Sequence, residues 1–277
     1  MKKLLTAAFI ILLTISSASA LAAETGSIEA DKLSYNVKTK HAAASGNVIF
    51  TRGRDTLKGG RAEGNIDRQI TVTGNVRGNF ASRRATLSAA KVIWTEERDG
   101  KKTDCITAQG NVILRQGKDN YLKAPFVKVN ADRKKYEASG GMEALYNNKY
   151  IKAEKITRDG ENFKGTSVSK LEDREKKYSI AAREITGTIH KDEEISTAVA
   201  EGSVSVNNTD KNGIKSRING DKAIYNKTEG TLIITGNVNG IREDGKTIKA
   251  DKITYNINDR QLEATGRARI TFINENK

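Results

Sequence analysis

The chain has 277 residues, with 48 Lys and Arg against 34 Asp and Glu, a net charge of +14, and only 5% aromatic residues. One cysteine, Cys105, excludes an internal disulfide, and His41 and His190 sit in no metal-ligand spacing, so the fold must be held by burial and backbone pairing. The apolar run Leu4–Ile15 is too short to cross a bilayer, which takes about 20 residues.

Taken in chain order, residues 1–23 read as a secretory signal: Lys2-Lys3, the apolar run, then small residues Ser16–Ala23 with cleavage expected after Ala20 or Ala22. No cysteine follows that could carry a lipid anchor, so residues 24–277 are expected to be soluble in an exported compartment. Without Lys2 and Lys3 the balance is 46 basic against 34 acidic residues, a charge of +12. Such a balance often marks nucleic-acid binding. Export and the scatter of the charges argue against that partner here, and phosphorylated lipids or acidic glycans are the better anionic candidates. Much of the charge is expected simply to cover outward strand faces.

From Ile28 onward one short unit recurs eight times, starting at Ile28, Leu57, Leu87, Leu122, Ile151, Ile180, Ile218 and Ile248. Two residues after each start stands Ala or Gly, as in Ala30, Gly59 and Ala250. Five after it stands an aliphatic residue, as in Leu33, Val92 and Ile253. Each unit closes on a glycine, among them Gly46, Gly110, Gly165, Gly202 and Gly266. Self-similarity at this period marks a repetitive architecture.

Within the last unit, Ile248 and Ala250 share one strand face, and the apolar set resumes one residue out of phase at Ile253 and Tyr255. Side chains alternate along a strand, so the slip predicts a bulge or corner beside the small residue. Asn258-Asp-Arg260, like Asn226–Gly230 one unit earlier, reads as a hairpin turn. The prediction is all-β: about sixteen antiparallel strands from eight two-strand repeats, greasy on one face and charged on the other. Lys170–Lys177 is expected to be a solvated loop, and Pro125 to sit at a bend where no N–H is needed. Small residues on the greasy face leave two readings open: room for an extended apolar ligand, or close approach of two sheets. A 12-carbon chain buried there would contribute on the order of 10 kcal/mol before ordering costs.

The unit Ile28-Glu-Ala-Asp-Lys-Leu-Ser-Tyr35 with Ala44-Ser-Gly-Asn-Val48, and the copies Gly220–Tyr225 and Ala250–Tyr255, resemble the repeat of the OstA-like family over essentially the whole chain from Ile28 to Ile273. The resemblance implies an elongated twisted β-jellyroll over 24–277, as one roll or as two consecutive rolls divided near 165–178. It also implies a periplasmic lipopolysaccharide-binding transport protein that shields lipid A acyl chains in an apolar groove and bridges inner and outer membranes. Implied partners are lipopolysaccharide, the inner- and outer-membrane transport proteins, and further copies of the chain stacked head to tail; no cofactor, metal or nucleic acid is expected. Carried over by position, the lipid contacts are Ile28, Leu33, Tyr35, Val48, Phe50 and Leu57, continued by Trp94, Tyr225 and Tyr255 at the place of Tyr35. Lys32, Lys91, Lys155, Lys222 and Lys252 share one position and would meet phosphates at the groove rim.

Two other readings fit the same residues. A secreted β-helix enzyme acting on polysaccharide needs an acid and a base gathered on one face, whereas Asp31, Asp221 and Asp251 recur as repeat positions, which reads as structural. An extracellular or periplasmic β scaffold or adhesin without lipid cargo would have the same strands and a fully packed core.

Overall fold

The computed structural model describes residues 26–81, 84–97, 103–130, 133–175, 177–190, 195–210, 212–256 and 261–272; the segment expected to be a signal, 1–23, lies outside them. The described residues form strands and turns with no α-helix. By backbone packing they divide into two compact units, one of residues 26–147 with 156–160, the other of 148–155 with 161–272.

The first unit contains β1 (Gly26–Glu29), β2 (Lys32–Asn36), β3 (His41–Arg52), β4 (Asp55–Asn65), β5 (Gln69–Phe80), β6 (Ala85–Glu97), β7 (Thr103–Gln116), β8 (Asn120–Asn130) and β9 (Lys135–Tyr146). The division falls within β10 (Lys149–Asp159). The second unit continues with β11 (Asn162–Asp173), β12 (Tyr178–Ile189), β13 (Ile195–Thr209), β14 (Lys215–Asn226), β15 (Thr231–Arg242), β16 (Thr247–Asn256), β17 (Gln261–Thr265) and β18 (Arg269–Thr271). Sequence neighbours pair antiparallel throughout each ladder. β1 and β2 both pair with β3, and β17 and β18 both pair with β16. Each of those couples is therefore one strand interrupted in the middle, which reconciles eighteen segments with the sixteen strands expected.

Every repeat bends at mid-strand, but not where the phase slip alone would put the extra residue. The register breaks lie between Ser45 and Val48, Thr73 and Val76, Gln109 and Val112, and Thr235 and Val238. They fall on the strand that closes the unit, at Gly-Asn pairs whose two residues both have positive φ: Gly46 and Asn47, Gly74 and Asn75, Gly110 and Asn111, Gly236 and Asn237. A glycine in the left-handed region followed by Asn, which tolerates that region, is the least strained way to insert the extra residue of a bulge. The Asp position of the preceding strand lies against this corner. Asp31 accepts from Asn47 Nδ2 at 3.1 Å, Asp221 from Asn237 Nδ2 at 3.4 Å, and Asp251 from Arg267 Nη2 at 2.6 Å. The recurring aspartates thus brace corners.

In the fifth copy the closing glycine, Gly165, points inward opposite Ile185, and a positive φ falls on Ser167. One local expectation is corrected. Lys170–Asp173 is not loop but the end of β11, because Leu171 and Asp173 alternate inward and Asp173 is ion-paired with Lys149. Pro125 lies in the register break of β8, facing Gly140 at the corner of β9.

Inward residues line up across each ladder. In the first unit Ala44, Ala62, Val72, Val92, Ala108 and Val127 are ladder partners in succession and all are buried. In the second, Ala200, Ala223, Ile234 and Ile253 do the same. Hairpin turns one repeat apart are laced by backbone bonds, as in Ile66 N–H to Lys40 O and Lys227 N–H to Ser196 O.

Candidate lipid-binding interior

In the first unit, Ile28, Phe50 and Leu57 are successive ladder partners across β1, β3 and β4. Phe50 and Leu57 are buried, Ile28 is half-buried, and Val48 is buried beside the corner. Trp94 of β6 belongs to a different row, with Ile70 and Ile106 as its ladder partners. Its ring nonetheless lies 6.1 Å from that of Phe50. β3 and β6 are not ladder neighbours, so this contact crosses the interior from one layer of bent half-strands to the other. The structure therefore brings together Ile28, Phe50, Leu57 and Trp94. Leu33 and Tyr35 share the inward face, opposite the buried Ala44 and Ala42, but are 53% and 46% exposed.

In the second unit Tyr225, Leu232, Tyr255 and Leu262 succeed one another across β14 to β17. Tyr225 is buried and Tyr255 half-buried, so both occupy the row expected of them, in a unit separate from Trp94. Tyr178 and Tyr225 line one pocket, and burial pushes the Tyr178 phenol above its ordinary range, with Tyr225 adding to the shift.

Two small apolar pockets lie among the described inward residues. An apolar pocket among Phe80, Leu87, Ile106, Leu114 and Val129 holds about 30 Å³, and the Tyr178–Tyr225 pocket about 20 Å³. Each has room for a water or two. The small residues explain the tight fit: a Cβ added at Gly220 would lie 2.7 Å from Ile234 Cγ2, and one at Gly59 2.7 Å from Val72 Cγ1. They let neighbouring side chains close over the backbone.

Lys32, Lys91, Lys155, Lys222 and Lys252 each stand next in sequence to an inward residue and so lie on the outer face. Lys222 is paired with Glu201 at 2.7 Å, which holds the Glu201 carboxyl below its usual range. The charges at the strand ends are ones that sequence reading missed. Arg52, ending β3, meets Asp104 of β7 at 3.2 Å and Glu96 of β6 at 3.9 Å, and its guanidinium lies 4.2 Å over the Trp94 ring. No sequence signal reveals this, because residues 52, 96 and 104 meet only when the two layers fold over. Also missed as a group were the exposed apolar Val37, near the start of the first unit, and Ile270 and Phe272, near the end of the second. Among the described residues no group of three His, Cys, Asp or Glu could hold a metal ion.

Fold and interior together define an all-β class of protein: antiparallel repeats bent at mid-strand corners, with an apolar inward face in each unit. The family described as "LptA/(LptD N-terminal domain) LPS transport protein" matches residues 27–176 and again 96–261, and the chain belongs to that family of lipopolysaccharide-transport proteins. Among solved structures, the chain is similar to LptH of Pseudomonas aeruginosa, described as the LptA-homologous periplasmic component of the lipopolysaccharide transport device. That match has 10% identity and a TM-score of 0.22, covering 91% of this chain and 96% of the other. No curated protein sequence matches the chain.

Proposed function

We propose that this protein is a periplasmic carrier that takes lipopolysaccharide by its lipid A acyl chains into the apolar interior and passes it between inner- and outer-membrane transport proteins. The observation that carries this reading is the unbroken row of inward apolar residues across successive strands, joined to a family whose members transport lipopolysaccharide. Exposed Leu33, Tyr35 and Val37 near the start of the first unit, and Leu262, Ile270 and Phe272 near the end of the second, support head-to-tail association of copies. Its partners set the direction of transport.

The small size of the two apolar pockets favours one competing reading, a β scaffold without cargo. Purified protein incubated with lipopolysaccharide and passed over a sizing column separates the two. The carrier elutes with stoichiometric lipid, and a scaffold elutes free of it.

A further inference from the structure

The described ends of β3, β6 and β7 carry an arrangement that the transport reading does not require. Arg52 spans from one layer to the other, its guanidinium stacked on Trp94 and ion-paired to Asp104 and Glu96. Directly beneath, Trp94 is 2% exposed and packs on Phe50 across the interior. The indole Nε1–H of Trp94 is buried with no hydrogen-bond acceptor. A buried unpaired donor favours opening to water; burial of the indole and its contact with Phe50 offset that penalty, and Arg52 adds its ion pairs and its cation–π contact across the two layers. An Arg over Trp with two carboxylates on its rim is attracted by charge on one side and by the ring quadrupole on the other.

We infer that this is the mouth through which an acyl chain enters the first unit, and that Arg52 is the latch that holds it shut. The assignment of the chain that enters rests on the transport reading; the latch itself does not. When Arg52 lets go of Asp104 and Glu96, the Phe50–Trp94 contact is the next to part, and behind it lies the row of small and aliphatic residues from Ala44 to Val127. Arg52 acts as a positioning residue: it governs access and does not line the row itself.

Trp94 is the only tryptophan of the chain, so its emission reports this place alone. The test uses acrylamide quenching of the full exported protein, with far-UV circular dichroism to establish folding. Arg52→Gln is expected to raise the quenching constant about threefold, the range of a part-exposed ion pair. Asp104→Asn, a milder change, is expected to raise it less, and Arg52→Lys to stay near wild type. Folded Arg52→Gln and Asp104→Asn proteins that both quench like wild type would overturn the latch. In parallel, dansyl-undecanoic acid is mixed with each protein and energy transfer from Trp94 is followed. Faster uptake by Arg52→Gln supports the mouth, and uptake at an unchanged rate despite an exposed Trp94 overturns it. Raised quenching with no uptake by any variant, wild type included, leaves the latch standing and counts against the transport reading instead.

Discussion

Substituting Gly110 by Ala tests whether the corners, as described, determine the bend. Gly110 has φ +75°, and a Cβ there would lie 2.8 Å from the Cβ of Ala90 on the neighbouring strand. Two penalties combine: left-handed backbone in a residue with a side chain, about 1–2 kcal/mol, and a contact shorter than carbon atoms tolerate, about 1 kcal/mol after relaxation at an exposed site. Gly160 offers the control, since its φ is +60° and nothing lies within 4 Å of its added Cβ. Gly160→Ala should therefore cost only the backbone share. Adding Ala90→Gly to Gly110→Ala removes the clash and leaves the strain, giving a coupling of about 1 kcal/mol in a double-mutant cycle. Urea unfolding with an unchanged slope reads each value. Equal costs for Gly110→Ala and Gly160→Ala, with no coupling to position 90, would refute the close approach of the two strands at this corner.

Further outcomes follow from the packing and the charges. Ile234 is fully buried between Ala223 and Ile253, so Ile234→Ala should lose about 2–5 kcal/mol by unfolding titration. Glu201 has a carboxyl held below its ordinary value of 4.5 by a hydrogen bond from Lys222 and then by its charge. A depressed acid pKa contributes stability above the unfolded value that is lost as pH falls through the folded one. Wild type should then exceed Lys222→Met in stability at neutral pH, with the gap closing below pH 4.5; a gap constant from pH 7 to strong acid would contradict the pairing.

The strands, their inward faces and their number were legible because the repeat places aliphatic residues at fixed offsets and the period of two is unambiguous once a corner is admitted. The place of the corner was legible, but not the strand that carries the extra residue. The slip from Ala250 to Ile253 is visible on one strand, while the inserted residue sits on its neighbour at a Gly-Asn pair whose positive φ no hydrophobic pattern records. Of the candidate site, Val48, Phe50, Leu57, Trp94 and Tyr225 were found inside because each occupies an inward repeat position. Leu33 and Tyr35 have the same position yet are exposed, because they stand near the start of the ladder where fewer strands cover them. The Arg52 cluster was invisible because its members lie in three strands that no local pattern links.

The most direct test of lipid carriage places a photo-crosslinking residue at Leu33, on the inward face, or at Ser34, on the outward face, in cells making lipopolysaccharide. The account predicts a lipopolysaccharide adduct at position 33 and none at 34. Adducts at neither position, in a protein that is folded and exported, would contradict it and return the interior to an ordinary core.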